Sequence, residues 1–304
     1  MMVLLLFPMY DKQTGPAIKR AFENLGHEVY AIDAKQEPSN SYAMSLQVSP
    51  DLVFCSRTKE LAGQVVQIKQ RFPNAKTCVW NVDTKYDINE WSHLFPLIRA
   101  CDYYFVVADK LIPQWRTINP NTHWLPQGLQ DEVYDRSGTL TEDDVNKYAC
   151  DVSFAGSCTG HHKMRTPYLE AIEGMGIDFR RWGCLGMPRV YNEEHNKMVA
   201  LSKINLACSG WPENGRYSSV RNYKILGAGG FLLELYREGT YDIFPPDTLD
   251  CYSTTQELAK KVRYWLDYKK EREEMAERGY RWAHTNATYT HRIRMALDYM
   301  GMKS

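Results

Sequence analysis

The chain has 304 residues, which exceeds the usual size of one domain and predicts two domains of about 130 to 150 residues each. Its 44% hydrophobic and 24% charged residues are typical of a globular protein and exclude extended disorder. The 37 basic residues balance the 37 acidic ones, which excludes a global field that would hold nucleic acid or an anionic membrane nonspecifically.

The first half of the chain alternates short apolar runs with amphipathic stretches. Strands are predicted at 2–7 (MVLLLF), 27–33, 51–56, 76–83 and 102–109. Helices are predicted at 15–25, from 57 to about 71, and at 89–99. Such alternation indicates a parallel sheet with right-handed crossovers.

The alternation pauses between residues 129 and 149, a polar stretch with Ser-Gly and acidic residues that predicts a domain linker. It then resumes. Strands are predicted at 150–156, 177–183, 203–208 and 230–235. Helices are predicted at 162–175, 192–201, 219–226, 255–268, 271–283 and 289–300. The sequence therefore predicts two α/β units in tandem.

The N-terminal segment and the lengths of the apolar runs predict a cytoplasmic protein. The apolar run at the start has no basic segment before it and no small-residue cleavage site, so we read it as a first strand and not as a signal peptide. No run approaches the ~18 apolar residues of a membrane span. The eight cysteines are scattered without a C-x-x-C pair, so we expect reduced structural thiols, no metal site and no cofactor.

A glycine-rich segment, SSVRNYKILGAGGFLL (218–233), combines a short helix with a buried strand. Ser219 is a good N-cap, and the N-terminal end of a helix is a ready anion site. Arg221 lies in the first turn, where a cation opposes the helix dipole unless a bound anion offsets it. The alternative is that Gly227, Gly229 and Gly230 only allow tight packing of the helix against the strand.

A second strand–loop–helix segment, DVSFAGSCTGHHKMR (151–165), offers small residues beside basic ones. Gly156 and Ser157 could approach a phosphate while Arg165 supplies charge; a solvated helix face is the alternative for Arg165. The segment has neither a G-x-G-x-x-G nor a P-loop pattern. Together the two segments indicate one phosphate-bearing ligand.

These residues carry a family resemblance. DVSFAGS, KINLACS, SSVRNYKILGAGGFLL and ERGYRWAHTNATYTHRIRMAL, in that order, resemble the carboxyl-terminal half of group 1 glycosyltransferases of the spore-maturation (CgeB-like) type. That family's pattern around the helix is N-x-R-x-F-E-x-L-A-C-G-x-F-L-L, and the resemblance runs through about residues 150 to 300. The first half is similar only at VWNVD (79–83) and HWLPQGLQDEVY (123–134).

The resemblance implies an α/β protein of GT-B fold, with two Rossmann-like domains facing an interdomain cleft. Residues 1–135 would bind the acceptor, residues 150–288 the nucleotide-sugar donor, and the last helix, 289–304, would return to the first domain. The implied activity is metal-independent transfer of a sugar from a UDP-, GDP- or TDP-sugar to a glycan, protein, small molecule or modified DNA base. The alternative is a catalytically silent nucleotide-sugar or glycan-binding protein of the same fold.

The candidate site residues come from the residue patterns and from the family resemblance. The donor-binding candidates are Gly156, Ser157, Arg165, Ser219, Arg221, Tyr223, Lys224, Gly229 and Gly230. Asp83 and Arg221 are the catalytic candidates, and Thr14, Gly15 and Trp80 are expected on the acceptor side. The sequence departs from the family at Lys224, where the resemblance implies a Glu that holds the donor ribose, since an ammonium can only donate hydrogen bonds. Lys224 could instead pair with a phosphate.

Overall fold

The structure, a computed structural model, describes residues 1–10, 13–210 and 213–303. The chain divides into two compact units. The first comprises Met1–Gln127 and the chain from Tyr289 onward, and the second is Gly128–Thr288. No helix in the described ranges is long and apolar enough to cross a bilayer.

The first unit is built on a parallel sheet. Its strands are β1 (Met2–Phe7), β2 (Glu28–Asp33), β3 (Leu52–Ser56), β4 (Lys76–Asn81), β5 (Tyr103–Val106) and β6 (Thr122–Trp124), in the order β2-β1-β3-β4-β5-β6. Its helices are α1 (Gly15–Asn24), α2 (Ser41–Val48), α3 (Leu61–Arg71), α4 (Phe95–Ala100) and α5 (Ile112–Trp115), with 3-10 turns at Pro38–Asn40 and Ile88–Leu94. β3 is buried along its whole length, which explains why it reads as a continuous apolar run.

The second unit is built the same way. Its strands are β7 (Cys150–Ala155), β8 (Phe179–Trp182), β9 (Ser202–Ala207), β10 (Leu232–Leu235) and β11 (Asp250–Tyr252), in the parallel order β11-β10-β9-β7-β8. Its helices are α6 (Glu142–Tyr148), α7 (Thr166–Glu173), α8 (Asn192–Leu201), α9 (Val220–Gly227), α10 (Thr240–Ile243), α11 (Thr255–Asp267) and α12 (Lys269–Asn286), with a 3-10 turn at Gly160–Arg165. Because the carboxyl ends of parallel strands share one edge, the loops after β7, β8 and β9 lie side by side.

The stretch predicted as a linker is part of the second unit. Residues 129–149 lie inside that unit and include α6, which begins at a reciprocal capping box between Thr141 and Asp144. Its single buried residue is Tyr148, so an apolar period was absent from the sequence although the helix forms. Capping and packing at one end stabilise this helix in place of an apolar face.

The last helix, α13 (Tyr289–Tyr299), belongs to the first unit. The Tyr289 hydroxyl donates to Gln127 Oε1 at 3.0 Å, and Arg292 Nε donates to the Gln127 carbonyl at 2.8 Å. The Tyr289 ring packs edge-on against Trp80, with ring centroids 5.9 Å apart. The return of the chain to the first unit is therefore confirmed.

Candidate functional site

The N-terminal end of α9 holds the first part of the site. Ser219 is the N-cap, and its hydroxyl accepts a hydrogen bond from the Arg221 amide at 3.4 Å. The Arg221 side chain folds back toward β7, where its Nε donates to the Ala155 carbonyl at 2.6 Å and its guanidinium lies 5.2 Å from the centre of the Phe154 ring. Arg221 is thereby fixed at the carboxyl end of β7.

A second guanidinium is held beside it. Arg165 is only 4% exposed, and it donates from Nε to the Cys208 carbonyl at 2.7 Å and from Nη1 to the Ser157 carbonyl at 2.5 Å. Burial lowers its pKa to about 10, and the nearby charge of Arg221 lowers the pKa further in the same direction. Two carbonyls that follow neighbouring strands thus hold one cation next to another.

Among the described residues, no carboxylate forms an ion pair with Arg165 or Arg221. Burial lowers the pKa of Arg221, and Glu234 is the carboxylate whose charge opposes that effect. Glu234, however, is already paired with Arg237 at 2.6 Å, with both side chains fully buried. Arg221 Nη1 is buried and has no hydrogen-bond partner in the part of the chain that the structure describes. A buried unpaired donor is costly, and a bound acceptor would remove that cost.

Lys224 adds a third cation one turn along α9. Its ammonium donates to the Tyr134 hydroxyl at 2.7 Å and lies 4.3 Å from the centre of that ring. Burial, and then the charge of Arg221, lower the pKa of Lys224 to about 8. We call Arg165, Arg221 and Lys224 the cation cluster.

His195 lies next to the cation cluster but does not add charge to it. Its ring packs edge-on against Tyr134, 5.4 Å between centroids, and it is buried. Burial, followed by the charges of Lys224 and Arg221, lowers its pKa to about 3, so the ring is neutral at pH 7. Neither His195 nor Tyr134 was found from the sequence, because Tyr134 is 90 residues before Lys224 in the stretch read as a linker.

The glycine after β7 is explained by the close approach of Arg221. A Cβ on Gly156 would lie 2.2 Å from Arg221 Nη2, and the Gly156 amide donates to the Trp182 carbonyl at 2.8 Å. The next residue, Ser157, holds Arg165 through its carbonyl. The structure thus brings six of the nine predicted donor-binding residues together around β7 and α9.

The other predicted donor-binding residues have packing contacts. Tyr223 is fully buried and its ring packs 5.3 Å from that of Phe244. A Cβ on Gly230 would lie 2.4 Å from Val199 Cγ1 and 2.6 Å from Asn205 Nδ2. Gly229 has a φ of +78°, and its Cα faces the side chain of Arg136. These contacts favour the packing interpretation of the two glycines, which allow the chain to turn from α9 into β10.

A disulfide lies beside this loop, so the expectation of reduced thiols was wrong for two cysteines. Cys158 and Cys184 are bonded, with their Cα atoms 5.4 Å apart and their positions separated by 26 in the sequence. Pairing of β7 with β8 brings the loops that follow these strands together, which no spacing in the sequence reveals. The six remaining cysteines are free and buried, as expected.

The predicted acceptor-side residues lie in the first unit, at the carboxyl ends of its strands. A cavity of about 570 Å³, which we call the first-unit cavity, is lined in part by Thr14 and Trp80. Trp80 is fully buried and its indole N–H donates to the Leu125 carbonyl at 3.1 Å, so it is also core. Gly15 is buried where a Cβ would lie 2.3 Å from the Pro8 carbonyl oxygen.

Asp83 follows β4 at the same edge. Its side chain is 53% exposed and forms an ion pair with Arg57, which lines the first-unit cavity. Its backbone N–H donates to Asn81 Oδ1 at 3.2 Å. An exposed carboxylate held by an arginine beside a cavity can accept a proton from a bound hydroxyl.

Comparison with known proteins supplies independent information. Residues 158–298 match a family model described as glycosyl transferase-like. A search of curated protein sequences found no significant match.

Three solved structures are similar over nearly the whole chain. A glycosyltransferase from Rickettsia africae has a TM-score of 0.66 at 11% identity, covering 99% of this chain and 98% of that one. HepE from Anabaena in complex with UDP-glucose has a TM-score of 0.66 at 9% identity, covering 99% of both chains. An α1,3-fucosyltransferase with GDP has a TM-score of 0.57 at 12% identity, covering 99% of this chain and 89% of that one. At these identities the similarity shows a shared fold.

Proposed function

We propose that the chain is a glycosyltransferase that transfers a hexose from a nucleotide-sugar held by the second unit. Its residues 158–298 match the glycosyl transferase-like family model, and the chain has the GT-B fold of the solved glycosyltransferases. The segments quoted from the sequence support the spore-maturation (CgeB-like) type. Two of the similar proteins have structures with a nucleotide, HepE with UDP or UDP-glucose and the α1,3-fucosyltransferase with GDP, which supports a uridine or guanosine diphosphate donor here.

The single observation that carries this proposal is the buried Arg221 Nη1, which has no partner among the described residues and lies beside a second cation, Arg165. A diphosphate supplies several acceptor oxygens and negative charge, which matches both needs. The end of α9, capped by Ser219, adds the partial positive charge of a helix N-terminus.

The chemistry of transfer uses these groups directly. A hydroxyl oxygen of the acceptor forms a bond to the anomeric carbon while the bond from that carbon to the diphosphate oxygen breaks. The electron pair of the broken bond leaves on the diphosphate, and the cation cluster stabilises the charge that develops there. Asp83 takes the proton of the attacking hydroxyl. Because three side chains neutralise the leaving group, we propose that transfer needs no divalent metal.

Lys224 has a place in this mechanism despite its departure from the family pattern. Arg221 is close enough for its charge to lower the pKa of the Lys224 ammonium, so one bound anion can contact both side chains. The same lysine is also the best argument for a catalytically silent binding protein, since it cannot accept hydrogen bonds from a ribose. The two alternatives differ in whether the bond between the sugar and the diphosphate of the donor is cleaved.

A donor screen followed by a release assay tests the proposal. UDP-, GDP- and TDP-sugars are first compared by thermal shift, and release of free nucleoside diphosphate is then measured for each donor that binds. We expect release with at least one donor and at least a tenfold loss for Arg221→Ala, equivalent to about 1.4 kcal/mol. Arg263→Ala removes an exposed arginine from α11 of the same unit and serves as the control.

Two results would overturn it. A melting shift without any release indicates the silent binding protein. Equal release by wild type and Arg221→Ala removes the diphosphate role of the cation cluster.

A further inference from the structure

The side chains that line the first-unit cavity carry more positive than negative charge. Its lining includes three cationic side chains, Lys35, Arg57 and Lys59, and one carboxylate, Glu60, among the residues that the structure describes. With a volume of about 570 Å³, it is large enough for a monosaccharide with a charged substituent.

The three cations are only partly neutralised. Lys35 has no carboxylate within ion-pair distance in the described ranges, and its ammonium lies 5.8 Å from the centre of the Tyr10 ring. Lys59 is 3.9 Å from Glu60, the limit of an ion pair, and both side chains are more than half exposed. An exposed pair at this distance contributes little, so Lys59 is available to another anion.

Arg57 is the best-held of the three. Its Nη2 pairs with Asp83, and its guanidinium lies 5.1 Å from the centre of the Trp91 ring. A guanidinium carries five N–H donors, so the pairing with Asp83 leaves donors available for a second acceptor. The arginine therefore has a fixed position and spare hydrogen-bonding capacity beside the cavity.

Neutral donors and acceptors line the rest of the cavity. The hydroxyls of Ser56 and Thr58 lie 2.8 Å apart, and Thr14 lies at the start of α1. α1 and α3 both begin at this lining, and the side chains of their N-cap residues, Thr14 and Glu60, do not cap the first amides. Two helix starts add partial positive charge to the cationic side chains, while hydroxyls suit a polyol.

We propose that the first-unit cavity binds the acceptor and that the acceptor is a sugar or similar polyol bearing an anionic group, phosphate or carboxylate. Lys35 and Lys59 contact that group, and the free hydroxyl to be glycosylated lies toward Asp83. A neutral glycan would leave these cations without partners. The inference rests on the proposed sugar transfer, of which it names the substrate class.

Binding measured residue by residue tests this site. The full chain carrying Arg221→Ala, which weakens anion binding in the second unit, is titrated with glucose 6-phosphate, glucuronate and glucose while amide resonances are followed by NMR. We expect the two anions to shift the amides of Thr14 and Thr58 and to bind at least tenfold more tightly than glucose. Stronger binding of one anion identifies phosphate or carboxylate as the group recognised.

The second part of the test substitutes the two lysines of the cavity. Lys35→Gln with Lys59→Gln should weaken the tighter anion at least tenfold, whereas Lys19→Gln, at a partly exposed lysine of α1 paired with Glu23, should leave it unchanged. Equal binding of glucose and both anions, or no effect of the double change, would overturn the inference. Failure of every donor in the release assay would instead refute sugar transfer, while anion binding in this cavity would still be measured independently.

Discussion

The protonation of Lys224 gives the sharpest prediction. In the free protein, burial and the charge of Arg221 lower the pKa of this lysine from its ordinary 10.5 to about 8. At pH 9 most of the side chain is therefore neutral. A diphosphate bound to the cation cluster adds negative charge next to the ammonium and raises its pKa again, so that binding takes up a proton.

The size of this effect follows from the two pKa values. If the bound diphosphate restores the ordinary pKa, binding at pH 9 takes up about 0.9 proton, and affinity falls about tenfold between pH 7 and pH 9. The ligand itself contributes little, because a terminal phosphate with a pKa of about 6 is already ionised above pH 7.

The same pKa difference acts on stability with a definite sign. Between pH 8 and pH 10.5 the unfolded chain binds more protons at Lys224 than the folded chain does, so the free energy of unfolding rises with pH across this window. Below pH 8 the folded state carries the full cost of the buried charge, about 3 kcal/mol. Lys224→Met, which removes the charge and keeps the length, should stabilise the ligand-free protein at pH 7.

Calorimetric titration with UDP and GDP is the assay. Measurements at pH 7, 8 and 9 in buffers of different ionisation enthalpy report the affinity and the protons taken up. Lys224→Met should abolish the proton uptake, while Lys260→Met, an exposed lysine of α11, should retain it. An affinity that is the same at pH 7 and pH 9 in the wild type, or a pH dependence that survives in Lys224→Met, would refute the reasoning.

Three further changes have expected results. Gly156→Ala should reduce nucleotide affinity at least fivefold and lower the melting temperature, because its Cβ overlaps the buried guanidinium of Arg221 and the φ of +158° is one that side chains rarely adopt; calorimetry and thermal melting check both parts. Gly230→Val should lower the free energy of unfolding by about 1 to 3 kcal/mol or more, measured in urea, because its side chain overlaps two buried neighbours. Reduction of the disulfide between Cys158 and Cys184 should cost about 3.5 kcal/mol of stability in the same assay, as expected for a closed loop of this length, and a Cys→Ser change at either position should match it.

Much of the fold could be predicted from the sequence. Buried parallel strands are apolar on both faces, so β1 and β3 read as continuous runs, and the helices between strands have one apolar face. β11 has only three residues and α6 has only one buried residue, so neither carries a detectable period. The linker prediction for residues 129–149 failed because α6 lies in that stretch and has no apolar period.

The candidate site follows from the sequence where its residues lie close together along the chain, and not where it depends on tertiary contacts. Arg221 was identified because a cation in the first turn of a helix is unusual, and Gly156 because small residues followed a strand. Tyr134 and the partner of Cys158 lie far away in the sequence and adopt their roles only after the sheet forms. Burial is likewise invisible in a sequence, so the lowered pKa of Lys224 could not be foreseen.

A crystal structure of the protein with UDP or GDP would test the central claim most directly. We predict diphosphate oxygens within hydrogen-bonding distance of Arg221 Nη1, the buried donor that has no partner among the described residues, with Arg165 and Lys224 alongside. A nucleotide bound elsewhere, with Arg221 in its present contacts and its Nη1 still unpaired, would contradict the account.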